Sequence, residues 1–420
     1  MTRWPGRVGV ALVASLAAVM LFAAAGQAKR PAGGAIRSLA DRGGLHRATV
    51  ADAGALPYSG GPVLHRNRTH LIFWAPSGSG LTFDPGYESL IETFMHNVAA
   101  ASRSSSNVFG LTGQYTDGNG PAAYVSVYGG AVNDTDPLAA NGCTEPASGP
   151  PGWSACVTDG QLQRELARVV RTDHLPTGST DVYFLITPQG LGDCNNSNGT
   201  NSCALGGDIN GYCGYHSNTS SGLLYAVIPY NAVAGHCQSD APKPNGTADP
   251  TISTISHELS EMITDPLGAA WIGSSGDEVG DLCLTNFGPN IDGSTGPNAW
   301  NEDINGGHYY LQEEWSNHNG GCEPRAKPDS LSFQSGSAGG QSMWFRARGS
   351  DPQGKIVSYR WSFGDGRGGA GGRPVHRYGR VGHYRVVLHS IDSWGNAAYY
   401  AATVTVGRAA GRSGRAAKSG

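Results

Sequence analysis

Apolar positions along this chain fall into three regimes. Val8–Ala25 is an unbroken run of low polarity, VGVALVASLAAVMLFAAA. From His70 onward the runs are short and end in turn residues. HLIFWAP (His70–Pro76), Tyr124–Tyr128, DVYFLITP (Asp181–Pro188) and LLYAVIPY (Leu223–Tyr230) have the length and the β-branched or aromatic content of buried strands. Between them, Pro85–Ala99 puts Leu90, Ile91, Phe94 and Val98 on one helical face, with Asp84-Pro85 as cap and first-turn proline. Gln161–Arg171 also has helical spacing. Strands and helices interleave over residues 65–325, which predicts an α/β or α+β domain with a mixed sheet. After Cys322 the pattern becomes alternation of period two. Ser342–Arg348, Ile356–Phe363, His383–Ile391 and Ala397–Val406 predict four strands, and Leu331–Phe333 a fifth, so 327–407 is an all-β module.

The first run changes meaning with its flanks. Arg3 and Arg7 precede it, and the small residues of Gly26-Gln27-Ala28 follow, so Met1–Ala28 reads as a secretory signal rather than a retained anchor. Cleavage leaves no later stretch able to span a bilayer, hence no stable membrane insertion, and predicts a secreted protein, free or held at the cell surface. Residues 29–64, rich in Ala, Gly and Arg, read as a leader, propeptide or flexible arm. The tail 408–420 is basic and reads as disordered. Loss of Arg3 and Arg7 moves the formal charge from -4 to -6, which argues against a nucleic-acid partner. The chain is loop-rich, with 63 glycines. Its eight cysteines all lie between 143 and 322, and export favours disulfides over sulfur-bound zinc. Pairing of neighbours gives Cys143–Cys156, Cys194–Cys203, Cys213–Cys237 and Cys283–Cys322. The Gly/Asn/Cys-rich segment 189–222 needs such staples.

The chemistry concentrates in ADPTISTISHELSEMITDP, Ala248–Pro266. Asp249 and Pro250 predict a helix start, and Pro266 its end near Thr264. Ile252, Ile255, Leu259 and Ile263 form an apolar stripe, and His257, Glu258 and Glu261 fall opposite it. His257 and Glu261, four residues apart, can face one metal ion, with Glu258 beside them as a water-activating base. GDEVGD (Gly276–Asp281) offers the third ligand: Glu278 is preferred, Asp277 is its rival, and Asp281 orients His257. The plainer alternative makes both glutamates the solvated face of an amphipathic helix.

HELSE resembles the HExxH helix of zinc-dependent metallopeptidases of the zincin group, and GDEVGD resembles the downstream segment of their glutamate-ligand branch. The resemblance implies His257 as first ligand, Glu258 as base, Glu278 as third ligand and Asp281 as its companion. The departure is Glu261, which stands where the pattern has histidine. A glutamate there lowers the site's charge and admits a harder ion such as calcium beside zinc. Segment 65–325 is also similar to secreted bacterial proteins carrying HELxE–TDP, an acidic GxExxD segment and a late Q-x-x-WSN stretch. Here that stretch is YYLQEEWSNHNGGC, Tyr309–Cys322. By zincin analogy His308 and Tyr309 are expected to steady an oxyanion, with Tyr310 and His318 as rivals. Trp315 reads as packing, and His216 and His236 as structural neighbours of bridges.

Residues 327–407 resemble a PKD domain through YRWSFGDG (Tyr359–Gly366), PVHRY (Pro374–Tyr378) and YRVVLHSIDSWGN (Tyr384–Asn396). The expected fold class is therefore α+β: a zincin-like mixed-sheet and helix core with disulfides, then an immunoglobulin-like β-sandwich. No GxSxG, P-loop or dinucleotide fingerprint occurs. Three functions compete. The first is a secreted metal-dependent hydrolase, chiefly a peptidase, acting on protein or on a cell-wall or matrix polymer. The second is a non-catalytic surface protein with a degenerate core and a binding or spacer module. The third is a carbohydrate-active or wall-binding protein.

Overall fold

A computed structural model describes residues 54–138, 140–144, 152–194, 203–204, 212–233, 237 and 241–407. The signal, the arm as far as residue 53, His236 and the tail 408–420 lie outside the described residues. The first domain is built on a mixed five-stranded sheet. Its order is Ser126–Asp134, Asn67–Trp74, Asp181–Ile186, Leu224–Ile228 and Tyr215–Asn218. The first four strands run parallel, and the last pairs antiparallel on the edge.

Strand alternation decides what covers each face. Leu71, Phe73, Val182, Phe184, Ile186, Leu224, Ala226 and Ile228 pack against two helices, α1 (Tyr87–Ala100) and α3 (Asp249–Thr264). The intervening residues, Ile72, Trp74, Tyr183, Leu185, Tyr225 and Val227, pack against α2 (Asp159–Thr172) through Leu162, Leu166 and Val169. Both faces are covered, which is why these strands read as continuous apolar runs.

Two helix starts differ from the sequence reading. Gly86, in the left-handed region at φ 83°, precedes α1. Asp84 instead accepts hydrogen bonds from Tyr230 and Thr247, each at 2.7 Å. Asp249 is already inside α3, and its carboxylate accepts from Asn245. The expected strand Tyr124–Tyr128 starts at Ser126 and runs on to Asp134.

All four neighbour disulfides form: Cys143–Cys156, Cys194–Cys203, Cys213–Cys237 and Cys283–Cys322. The cysteines are therefore not metal ligands.

The second domain is a β-sandwich. One sheet orders Ser330–Gly339, Ser342–Ser350 and Val375–Arg377, and the other Gly368–Ala370, Ile356–Ser362, Gly382–Asp392 and Ala397–Val406. Phe345, Trp361, Phe363, Tyr378, Val386, Leu388, Val404 and Val406 fill it. The turn at the end of Gly382–Asp392 inserts into the first domain. There Trp394 packs with the α1–α3 core, Asn396 donates to the Gly110 carbonyl at 3.1 Å, and Arg103 donates to the Gly395 carbonyl at 2.8 Å. Gly113 lies so close beneath the Trp394 backbone that an added Cβ would sit 1.9 Å from its carbonyl oxygen.

Candidate metal centre

Helix α3 carries the chemistry and is buried on every side. The sheet takes its apolar stripe, and the segments around Glu278 and Glu314 close over the opposite face. His257, Glu258 and Glu261 are each 0% exposed, so the solvated-face alternative does not hold.

His257 and Glu261 meet as their spacing requires. Nε2 of His257 lies 3.0 Å from Oε1 of Glu261, yet the two are not aligned as a hydrogen bond, and this buried nitrogen has no hydrogen-bond partner. Asp281 adds Oδ1 at 3.8 Å from the same nitrogen, and its backbone N–H donates to Glu261 Oε1 at 3.2 Å. The three ligand atoms lie within 4.8 Å of one another. Two ligands on one zinc, each at about 2.0–2.2 Å and in tetrahedral array, stand about 3.3 Å apart. A close, unbonded, buried imidazole–carboxylate pair thus fits a metal ion between its members.

Backbone approach at Gly280 makes this packing feasible, because a Cβ there would fall 2.4 Å from His257 Nδ1. On that side Gln312 Nε2 stands 3.0 Å from Nδ1 and donates to the Gly280 carbonyl at 2.7 Å.

The structure reassigns several residues. Asp281, expected at the metal centre as the residue that orients His257, stands in the triad itself. Glu278, the preferred third ligand, lies instead toward His216, whose Nε2 is 3.7 Å away, and its backbone N–H donates to Asp281 Oδ2 at 3.1 Å. Asp277 bonds to Ser275 at 2.6 Å. His308 and Tyr309 are not brought to the cluster. His308 is half exposed and stacks on Trp300 with ring centroids 3.8 Å apart. The Tyr309 hydroxyl accepts from Asn97 at 2.8 Å, and its ring packs on Phe94. The His308 carbonyl is bonded by Asn245, ahead of the start of α3, so this strand sits beside the wrong end of the helix. Tyr310 stacks on Phe287, and His318 packs against Trp394. Trp315 is wholly buried packing.

His216, expected to be structural, is the residue that sequence reasoning missed. It lies on the edge strand Tyr215–Asn218, opposite Ala226, and so faces α3. Its Nδ1 is 3.1 Å from Glu258 Oε2 and 3.5 Å from Glu261 Oε2. Its Nε2 reaches the Asp265 carbonyl at 3.4 Å. His216, Glu258 and Glu261 form a second group with ligand atoms within 4.8 Å. The only hint in sequence is CGYH, which ties this histidine to a bridge two elements upstream of the helix.

The charges are lopsided. Glu258, Glu261, Asp265, Glu278 and Glu314 are buried, and Asp281 nearly so. Among the described residues, the ion pairs of Glu258, Glu261 and Asp281 are all with the two imidazoles. Burial works against charge on both histidines, but the surrounding carboxylates (Glu278 foremost for His216, Glu261 for His257) hold each well above the usual imidazole range. Burial raises Glu258, Glu278, Asp281 and Glu314. Glu261 is the exception. Burial raises it too, but His257 and His216 outweigh that and bring it to about 2. Burial of so much like charge is costly unless cations or protons balance it. The cluster is thus a buried His/Glu/Asp group capable of chelating a metal ion.

A family model described as the PKD domain matches residues 326–413. The C-terminal sandwich is a PKD domain. Collagenase ColQ1 of Bacillus cereus (strain Q1) is 46% identical over 67 residues, 16% of this chain and 7% of that protein. The microbial collagenase of Vibrio alginolyticus is 44% identical over 68 residues, 16% of this chain and 8% of that protein. The chain thus spans less than a tenth of the length of these two relatives. Among solved structures, the PKD1 domain of Vibrio anguillarum Epp is 28% identical, covering 20% of this chain and 96% of its own, with a TM-score of 0.19. The PKD domain is fused here to an α+β core that holds the buried His/Glu/Asp cluster.

Proposed function

We propose that this is an exported, metal-dependent hydrolase, a peptidase in its chemistry, with its metal on His257, Glu261 and Asp281. The observation that carries the reading is the buried His257 Nε2, 3.0 Å from a carboxylate oxygen and hydrogen-bonded to nothing. Imidazole with carboxylates and no sulfur suits zinc, and the imidazole disfavours calcium, which takes oxygen ligands. A zinc ion in such a site supplies Lewis acidity and a water nucleophile near neutral pH. Glu258 follows His257 on the helix, and its Oε1 is buried without a hydrogen-bond partner, which suits the acceptor of the water's proton. With Nε2 given to a metal, the ring proton of His257 sits on Nδ1. Gln312, whose Nε2 stands 3.0 Å from Nδ1 and whose Oε1 is buried without a hydrogen-bond partner, is the side chain that would have to reorient to accept it. The PKD domain spaces or anchors the core on protein or on a cell-wall or matrix polymer. Among the described residues no helix is long and apolar enough to cross a membrane.

Burial of His257 and Glu261, with Asp281 nearly buried, favours a second reading, a non-catalytic protein whose metal centre holds the core together, since closed sites are structural and catalytic ones keep an open position. Elemental analysis of the disulfide-intact protein, paired with hydrolysis of a peptide panel, separates the two. Zinc lost in Glu261→Ala, with hydrolysis abolished in Glu258→Gln, supports the enzyme. Zinc without hydrolysis supports the structural centre. No bound metal after gentle purification removes both.

A further inference from the structure

We propose that the cluster holds two divalent cations bridged by Glu261, with His257 and Asp281 completing one site and His216 and Glu258 the other. The proposal rests on the metal reading of the first site and extends it. A carboxylate has two oxygens, and those of Glu261 face different partners. Oε1 stands 3.0 Å from His257 Nε2, and Oε2 stands 3.5 Å from His216 Nδ1. Oε2 is buried and has no aligned hydrogen bond. Glu261 is the one member shared by the two groups whose ligand atoms lie within 4.8 Å of one another. A histidine at this position, with one nitrogen directed into the cluster, serves one ion. The departure from HExxH is therefore what a bridged pair requires.

The second site has its own support. His216 Nδ1 is hydrogen-bonded to Glu258 Oε2 at 3.1 Å and lies 3.5 Å from Glu261 Oε2, and its Nε2 faces the Asp265 carbonyl at 3.4 Å, with Glu278 at 3.7 Å. A ligating imidazole is commonly oriented in this way, one nitrogen on the metal and the other on a carbonyl or carboxylate. Glu258 engages through Oε2 and leaves Oε1 free, so its part as proton acceptor stands. Charge agrees. Six buried or nearly buried carboxylates face two imidazoles, and a second divalent ion balances part of that charge where protons must otherwise do so.

The test is metal stoichiometry of the full-length, disulfide-intact protein dialysed against zinc, followed by electron paramagnetic resonance after manganese(II) loading. Two zinc ions per chain, falling to one in His216→Ala and in Glu261→His, are expected, with spin-coupled manganese in the wild type. Circular dichroism confirms that each variant is folded, and His216→Gln replaces His216→Ala if that variant is not. One ion in the wild type overturns the second site and leaves the first reading intact. No ion overturns both. Two ions without spin coupling overturn the bridge.

Discussion

Replacing Glu261 by glutamine keeps the side chain's shape and removes its charge. In metal-free protein that charge is held by two imidazoles, at 3.0 Å and 3.5 Å. Their effect brings the carboxyl from the ordinary 4.5 down to about 2 against the opposing effect of burial. At 1.36 kcal/mol per unit, the difference corresponds to about 3 kcal/mol. The folded-state value is depressed, so the contribution is present above pH 4.5 and is lost as pH falls toward 2. Urea unfolding of wild type and Glu261→Gln, both in EDTA, measures it. The variant is expected to be about 3 kcal/mol less stable at pH 7, and the gap is expected to close below pH 4. A gap under about 0.5 kcal/mol at pH 7, or one that stays constant down to pH 2.5, refutes the electrostatic account of the cluster.

Three further outcomes follow from particular contacts. Removing the Cys283–Cys322 bridge by a double serine substitution opens a loop of 39 residues, so it should cost about 4 kcal/mol by chain entropy and weaken zinc binding, both readable by calorimetry. Gly113→Ala forces a Cβ to 1.9 Å from the Trp394 carbonyl, so the PKD domain should lose its seat and melt as a separate transition in a calorimetric scan. Burial raises Asp193 to about 7, with the Tyr212 hydroxyl bonded to it. Folding therefore favours its neutral form, and the fall in stability between pH 4 and pH 7 should be smaller in Asp193→Asn than in the wild type, the difference between the two growing with pH across that window.

Much of this architecture was legible because it is written locally. Helix α3 announces itself through Ile252, Ile255, Leu259 and Ile263 at one spacing. The disulfides join sequence neighbours, and the sandwich strands alternate cleanly around Trp361, Phe363, Val386 and Leu388. The site was legible only as far as it lies on one helix. His257 and Glu261 share a face by helical geometry, whereas His216 arrives on an edge strand and Gln312 and Glu314 on a later segment. Their approach is set by sheet order and by the Cys283–Cys322 bridge, which no local spacing encodes. The polar face of α3 misled for the same reason. Amphipathicity says which side is polar but not what covers it, and here other polar side chains do. His308 and Tyr309 were expected by zincin analogy, but the short hairpin carrying them turns toward the start of α3.

The central claim is that His257 and Glu261 bind a metal ion. Zinc-edge X-ray absorption on the full-length protein, purified without chelator, tests it most directly. The account predicts a first shell of nitrogen and oxygen alone at about 2.0–2.2 Å, with imidazole scattering that diminishes in His257→Ala. A shell containing sulfur near 2.3 Å, or a zinc signal unchanged in that variant, would contradict it.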